Sequence, residues 1–136
     1  MSNYGMMKTI KSEYEFGNKA EIELEQLMFD TFGVMRNKDK YAVYDYESNL
    51  ALVELKNRRC FSYSFKDLMM NATKCEGALK TDKKVYFVFK FTDGVFYWEF
   101  DKKLKLRTDI NGRRDRGRDE QKLFYYIPTN LLIKLI

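Results

Sequence analysis

The chain has 136 residues, 45% of them hydrophobic and 33% charged, which predicts one domain over residues 1–136 and excludes disordered, collagen-like and membrane-spanning classes. Because histidine is absent, catalytic sites that need an imidazole are excluded. The two cysteines, Cys60 and Cys75, are too far apart for a CxxC pair and have no histidine to complete a zinc cage, so neither a zinc finger nor a disulfide framework is expected. The net charge of +5 arises in residues 102–122, where nine basic side chains stand against four acidic ones, and such a basic patch indicates a polyanionic partner.

A first helix is predicted for residues 18–32. Apolar residues recur there at helical spacing, and Gly33 is a natural stop. Asn18 suits an N-cap with Glu21 three residues later, which is the spacing of a capping box. Extended segments follow: a weak strand at 34–36, then strands at 41–47 and 50–56 joined by a Ser-Asn turn.

The second half of the chain predicts another helix and a second group of strands. Residues 65–79 have an apolar stripe at helical spacing. Two aromatic strands then flank Asp93 and Gly94, a pair typical of a type I′ hairpin turn. A last strand at 123–127 precedes Pro128 and a short C-terminal helix. The order αβββαβββα predicts an α/β fold with a mixed central sheet. The aromatic strands are interpreted as sheet core, with a base-stacking platform as the alternative.

The hairpin at 41–56 contains the acidic residues that point to chemistry. A two-residue turn would pair Glu47 with Leu50, and the alternation of side chains would then place Asp45, Glu54 and Lys56 on one face. The two acids would be diagonal neighbours about 7 Å apart. Because apolar residues lie on both faces of the second strand, Glu54 is predicted to lie inside the sheet.

A buried pair of carboxylates needs a compensating cation. At an effective dielectric near 20, two carboxylates about 6 Å apart repel each other by roughly 3 kcal/mol. Lys56 supplies one positive charge, and Mg²⁺ or Mn²⁺ is the better match for an all-oxygen site without histidine. The alternative is a structural ion pair at the end of a sheet. A second Glu-x-Lys, at residues 120–122, lies in a polar run and is interpreted as a solvated face.

Asp45, followed after eight residues by Glu54-Leu55-Lys56, resembles the motif of the PD-(D/E)XK nuclease superfamily, the restriction-endonuclease-like enzymes. The resemblance implies an αβββαβ core over residues 17–91. The C-terminal β-hairpin or strand and the short helix that the residue pattern predicts lie outside this shared core. Tyr44 stands where the proline of the family name would be.

Gly17 and Glu21 form a GxxxE that is similar to the first helix of archaeal Holliday junction resolvases. The resemblance implies metal-assisted hydrolysis of DNA, with Mg²⁺ or Mn²⁺ held by Asp45, Glu54 and the Leu55 carbonyl. It makes Lys56 the group that orients water and Glu21 an outer acid, although Glu21 could instead be a capping-box residue. A junction resolvase also implies a homodimer, because symmetric cutting needs two sites related by a twofold axis.

Several basic residues are candidates for DNA binding. Arg58 and Arg59 follow the acidic strand, and four arginines of the basic stretch could neutralise phosphates: Arg113, Arg114, Arg116 and Arg118. The alternative for that stretch is a solvated loop with local Arg–Asp pairs. The second helix offers one further polar residue to the site, with Lys66, Asn71 and Lys74 as candidates.

Two other functions remain open at the level of sequence: a nucleic-acid-binding protein that keeps a nuclease fold without turnover, and a structural or interaction protein whose charge is incidental. The N-terminal residues do not have the pattern of a secretion signal, so an intracellular protein, cytoplasmic or nuclear, is expected. A virus, phage or mobile element would be a suitable source.

Overall fold

Two helices begin the part of the chain described by the computed structural model, which covers residues 10–39, 41–111 and 122–136. Helix α1 (Ile10–Glu23) and helix α2 (Glu25–Phe32) meet at a one-residue break. The predicted helix is therefore confirmed, but it begins earlier than residue 18. Gly33 ends α2 in the left-handed conformation, with φ 69°, as predicted.

Asn18 lies inside α1 and is not an N-cap. Its Oδ1 accepts a hydrogen bond from Nη2 of Arg36, at 2.9 Å, which ties the helix to the first strand. Because the helix begins a full two turns earlier, Glu21 cannot be the third residue of a capping box. That interpretation of Glu21 is wrong.

The described residues contain nine strands and a third helix. In chain order they are β1 (Met35–Arg36), β2 (Tyr46–Glu47), β3 (Ala51–Asn57), β4 (Asp67–Asn71), α3 (Ala72–Lys80), β5 (Lys84–Phe91), β6 (Gly94–Glu99), β7 (Arg107–Asn111), β8 (Lys122–Pro128) and β9 (Ile133–Lys134). Six strands form the central sheet in the order β1-β2-β3-β5-β6-β9. The β3–β5 pair is parallel and the others are antiparallel, so the predicted mixed sheet is confirmed.

A second sheet, with the order β4-β8-β7, was not expected. The prediction of a helix over residues 65–79 is wrong for its first half. Leu68 and Met70 alternate with more exposed neighbours and are buried in β4, whereas Ala72 and Cys75 are buried in α3 at helical spacing. The two patterns run together in sequence and imitate one long apolar stripe. Consequently a strand of the second sheet separates β3 from α3.

The central sheet is packed on both faces. On one face, residues of α1 and α2 cover Val53 and Leu55 of β3. On the other face, α3 and the second sheet cover Leu52, together with the aromatic residues Phe87 and Phe89 of β5. The last two are fully buried, so the interpretation of the aromatic strands as sheet core is confirmed. None of the helices in these residues is long and apolar enough to cross a membrane.

The β5–β6 hairpin is confirmed, but its type I′ turn is not. Phe91 pairs with Gly94, so the loop residues are Thr92 and Asp93. No described residue other than glycine has a positive φ, whereas a type I′ turn needs one at both loop positions. Gly94 has φ 148°, and a Cβ there would lie 2.5 Å from the carbonyl oxygen of Ile136. Close approach of the C-terminal strand is therefore what requires this glycine.

The C-terminal third differs from expectation in two further places. Residues 107–111 of the basic stretch form β7 instead of a loop, while residues 112–121 lie outside the described part. The strand expected at 123–127 is confirmed as β8, but a single 3₁₀ turn, Thr129–Leu131, follows Pro128. The Thr129 hydroxyl does not cap this turn and donates to the carbonyl of Lys66, at 2.9 Å.

One close contact fixes α3 against the chain that leads into β2. The hydroxyl of Tyr44 donates to the carbonyl of Lys74, at 2.7 Å, and a Cβ on Gly77 would lie 2.8 Å from the same hydroxyl oxygen. Gly77→Ala should therefore lower the free energy of unfolding by about 1–3 kcal/mol, although alanine is the better helix former. In a Tyr44→Phe background the hydroxyl is absent, and the nearest atom to a Cβ on Gly77 is Cζ of the ring, at 3.7 Å. The same substitution should then be neutral or stabilising.

Urea unfolding of the four proteins in this cycle measures the coupling. Gly17→Ala is the matched control, because a Cβ on this helical glycine would meet nothing within 4 Å. It should stabilise the protein by about 0.5–1 kcal/mol. Equal costs of Gly77→Ala in both backgrounds would contradict the assignment of the contact.

Candidate active site

The hairpin that carries the acidic residues is shifted by two residues from the expected register. Glu47 pairs with Leu52, not with Leu50. The cause is Ser48, whose hydroxyl oxygen accepts hydrogen bonds from the N–H groups of Leu50 and Ala51, at 3.2 and 3.0 Å, so that the loop moves one residue along the chain. The β2–β3 ladder contains only the pairs Tyr46–Val53 and Glu47–Leu52, and Asp45 lies directly before it, between Tyr44 and Tyr46, which are buried in the cores on opposite sides of the sheet. Asp45, Glu54 and Lys56 nevertheless line one groove. The predicted grouping survives although the predicted pairing is wrong.

Asp45 lies directly before β2 and turns its carboxylate towards β3. Its N–H donates to the carbonyl of Val53, at 3.0 Å, and its Oδ2 accepts from the N–H of Leu55, at 2.7 Å. Burial raises the pKa of Asp45 to about 6, because loss of solvation outweighs the stabilising bond from Leu55, and the nearby Glu21 raises it further. Asp45 therefore takes up a proton in mildly acidic solution, where an exposed aspartate is still ionised.

Helix α1 brings Glu21 to Asp45. The two carboxyl groups are hydrogen-bonded to each other, and burial raises the pKa of Glu21 as well. The Tyr46 hydroxyl donates to the backbone carbonyl of Glu21 and so attaches this turn of the helix to β2. Two acids in such contact share a proton when no cation is present, because both cannot be ionised at low cost.

Glu54 is the only buried charged residue in the described part of the chain, with 3% of its surface exposed. Its Oε2 lies 3.0 Å from Nζ of Lys56, and its Oε1 lies 3.4 Å from Nζ of Lys74. Loss of solvation raises the pKa of Glu54 in spite of both lysines. The expected compensation by Lys56 is confirmed. Of the three polar candidates from the second helix, Lys74 is the one that reaches the acids.

The acids open onto a groove of about 580 Å³. It is lined by the four expected catalytic residues, the two expected arginines and five others: Glu21, Asp45, Glu54, Lys56, Arg58, Arg59, Phe16, Gly17, Asn18, Leu55 and Asn57. Sequence reasoning missed the side chains of Phe16 and Asn57. Asn57 continues the acidic strand, and its position directly after the lysine was the available signal.

The two arginines after β3 lie differently in this groove. Burial lowers the pKa of Arg58, whose N–H donates to the carbonyl of Lys90, at 2.8 Å. The guanidinium of Arg59 lies over the ring of Phe16, 3.9 Å from its centre, in a cation–π contact. Both are therefore placed beside the acids, as expected. Arg113, Arg114, Arg116 and Arg118 lie outside the described residues.

The donor set of the groove suits a hard divalent cation. Oε1 of buried Glu54 has no hydrogen-bond partner in the described structure, and Asp45 and Glu21 repel each other when ionised. In a strand, the C=O of a residue points to the same side as its N–H, so the Leu55 carbonyl points towards Asp45.

Two observations weigh on the alternative, a structural ion pair. The described residues contain no ready-made cluster of three acidic or thiol metal ligands, because Glu54 is drawn towards its lysines. An ion pair accounts for the contacts of Glu54 with Lys56 and Lys74. It does not account for the second pair of acids, Asp45 and Glu21, beside it, and it leaves Oε1 of Glu54 without a hydrogen bond.

Comparison with known proteins adds one finding. No curated protein matches the chain. A sequence family described as "Phage putative PDDEXK endonuclease" matches residues 9–135, which include both opening helices, the acidic hairpin and both sheets. The phage origin in that description agrees with the expected viral or phage source. With nearly the whole length matched, the chain belongs to this phage endonuclease family of the PD-(D/E)XK nuclease superfamily.

Proposed function

We propose that this protein is a DNA endonuclease that hydrolyses phosphodiester bonds with Mg²⁺ or Mn²⁺ in the groove of Glu21, Asp45, Glu54 and Lys56. The observation that carries the proposal is convergence. Carboxylates from α1, from the residue before β2 and from β3 line one groove beside a lysine and two arginines, and one buried carboxylate oxygen has no hydrogen bond, only an ion pair with Lys74 at 3.4 Å. A site built only to stabilise the fold would gain nothing from a third acid.

Asp45, Glu54 and the Leu55 carbonyl are the groups that would hold the cation, and Glu21 is the outer acid that shares a proton with Asp45. The bound cation would polarise the phosphate and lower the pKa of an attacking water. Lys56, at 3.0 Å from Glu54, is placed to orient that water and to stabilise charge on the phosphate oxygens. Lys74 neutralises Glu54 from the other side.

The arginines account for retention of the substrate. Arg58 and Arg59 line the groove and can contact phosphates on either side of the scissile bond. The four arginines between residues 113 and 118 would extend the footprint along the backbone. A preference for branched DNA, and the homodimer that symmetric cutting implies, are supported only by the similarity of Gly17 and Glu21 to resolvases. The competing function is a DNA-binding protein without turnover.

The proposal is tested with labelled duplex, single-stranded and branched DNA, each incubated with Mg²⁺, Mn²⁺ or EDTA. Glu54→Gln and Asp45→Asn should lower cleavage by roughly 100- to 1000-fold, the rate equivalent of the several kcal/mol that a metal supplies. DNA affinity in EDTA should persist. The matched control is Glu47→Gln on the same hairpin, an exposed acid paired with Lys83 at 2.8 Å, which should leave cleavage unchanged.

Unfolding measurements on Glu54→Gln separate the nuclease from the structural alternative. Glutamine keeps the volume of the side chain, and both lysines reach water, so the free energy of unfolding should change by less than about 1 kcal/mol. Collapse of the fold would favour a structural ion pair. Binding of DNA by the wild type without cleavage under any metal would favour the inactive binding protein.

Stability should depend on pH through Asp45. Its folded pKa of about 6 lies above the ordinary value of 3.8, so its ionisation destabilises the metal-free fold increasingly as pH rises from about 4 to about 6. Asp45→Asn should therefore be more stable than the wild type at neutral pH in EDTA, by about 1–3 kcal/mol, and this advantage should vanish below about pH 4.

The measurement is urea unfolding across this pH range, repeated at neutral pH with Mn²⁺. The metal should stabilise the wild type and not Asp45→Asn, because only the wild type can release the shared proton and bind the ion through this carboxylate. If the wild type is more stable than Asp45→Asn at neutral pH in EDTA, the raised pKa of Asp45 is contradicted.

The basic stretch is tested by the salt dependence of DNA binding. Replacing Arg113, Arg114 and Arg116 together with alanine should reduce the slope of log affinity against log salt by about 2 to 3, since each phosphate contact contributes about 0.9. Lys38→Ala, an exposed lysine elsewhere in the chain, is the control. An unchanged slope in the triple variant would exclude these arginines from the DNA footprint.

A further inference from the structure

A second cleft, of about 650 Å³, adjoins the active-site groove. It lies between the end of β3 and the second sheet. Lys56 and Arg58 line both this cleft and the active-site groove. The remaining lining residues come from the chain before and within β4 and from β7 and β8: Cys60, Phe65, Lys66, Asp67, Leu68, Met69, Asn71, Arg107, Phe124 and Tyr126. A molecule in this cleft would therefore contact Lys56 and Arg58, which also face the substrate in the active-site groove.

The walls of the cleft are flat and aromatic. Phe65 is 62% exposed, although a phenylalanine of an ordinary fold is mostly buried, and Tyr126 and Phe124 face the cleft from β8. The guanidinium of Arg107 lies over the ring of Tyr126, 3.9 Å from its centre, and is held by Asp67 at 3.5 Å. Planar rings and a stacked guanidinium are the surfaces on which nucleic-acid bases stack.

Charge identifies the occupant as anionic. Four lining residues are basic, namely Lys56, Arg58, Lys66 and Arg107, and the one acid among them, Asp67, is already paired with Arg107. Lys56 and Arg107 are already paired, with Glu54 and Asp67, so an apolar peptide would desolvate Arg58 and Lys66 at a cost without giving them an anion. A nucleotide supplies both an aromatic ring for the walls and a phosphate for the rim.

We propose that this cleft receives an unpaired base of the DNA strand whose phosphate lies in the active-site groove. This inference rests on the proposed function and names its substrate class. A base held in a normal duplex is stacked and paired, and extracting it costs a few kcal/mol. The protein should therefore bind and cut DNA with an unpaired nucleotide beside the scissile bond, as in single strands, flaps or distorted junctions, in preference to continuous duplex.

The test uses short single-stranded oligonucleotides with the fluorescent base 2-aminopurine at successive positions, bound in EDTA so that no cleavage is needed. At one position the fluorescence should fall on binding, because stacking on an aromatic ring quenches it. Phe65→Ala and Tyr126→Ala should each weaken binding by about 5- to 150-fold, the range for loss of one stacked base. Tyr126→Phe, which keeps the ring, should bind as the wild type does.

Two controls make the result specific. Phe29→Ala removes a 52% exposed aromatic residue from α2 and should have no effect. An oligonucleotide with an abasic nucleotide at the quenched position should bind wild type and Phe65→Ala equally. The exposed position of Phe65 means that its variant should fold even if Tyr126→Ala does not.

The outcomes separate this inference from the proposed function. If binding quenches the fluorescence but no metal supports cleavage, the proposed base site stands and the proposed endonuclease activity is wrong. Cleavage with no quenched position, or with equal losses on normal and abasic oligonucleotides, would overturn the base site and retain the endonuclease. Equal affinity and rate on continuous duplex and on single strands would also overturn it.

Discussion

The arrangement of the candidate active site depends on the charge balance around one buried carboxylate. Glu54 is on a strand whose neighbours are apolar on both faces, and loss of solvation there would cost several kcal/mol if the charge were alone. Lys56 from the same strand and Lys74 from α3 supply that compensation at 3.0 and 3.4 Å. The position of α3 is therefore fixed by electrostatics as well as by the close contact between Tyr44 and Gly77.

The same balance explains why the acidic groove is open to a cation. The two lysines pair with Glu54 but leave its Oε1 without a hydrogen bond, and burial raises the pKa values of the neighbouring Asp45 and Glu21. In the metal-free site, ammonium groups balance part of the charge of the acids. A divalent ion would balance that charge more completely. This arrangement agrees with the membership of the chain in an endonuclease family.

Features that depend on residues close together in the chain could be predicted from the sequence. Features that depend on the packing of distant segments could not. Asp45, Glu54 and Lys56 were expected together from strand alternation, and they do line one groove, although Asp45 lies outside the β2–β3 ladder. The helix expected at 65–79 was wrong because Leu68 and Met70 of a strand continue into the apolar positions of α3. Lys74 could be proposed but not selected, since only the packing of α3 brings it to Glu54. The second cleft was invisible, because its aromatic walls come from residues far apart in the chain.

The junction between β4 and α3 has a consequence for anyone who alters this protein. Asn71 lines the second cleft and caps α3 through a hydrogen bond from the N–H of Thr73, at 2.9 Å, and Lys74 follows within the first turn of that helix. Asn71 therefore joins the lining of the second cleft to the helix that carries Lys74, the counter-ion of Glu54. Substitutions in the second cleft and in the active-site groove should therefore be non-additive. A change that alters substrate selectivity in the cleft should also alter the acidity of the groups in the groove.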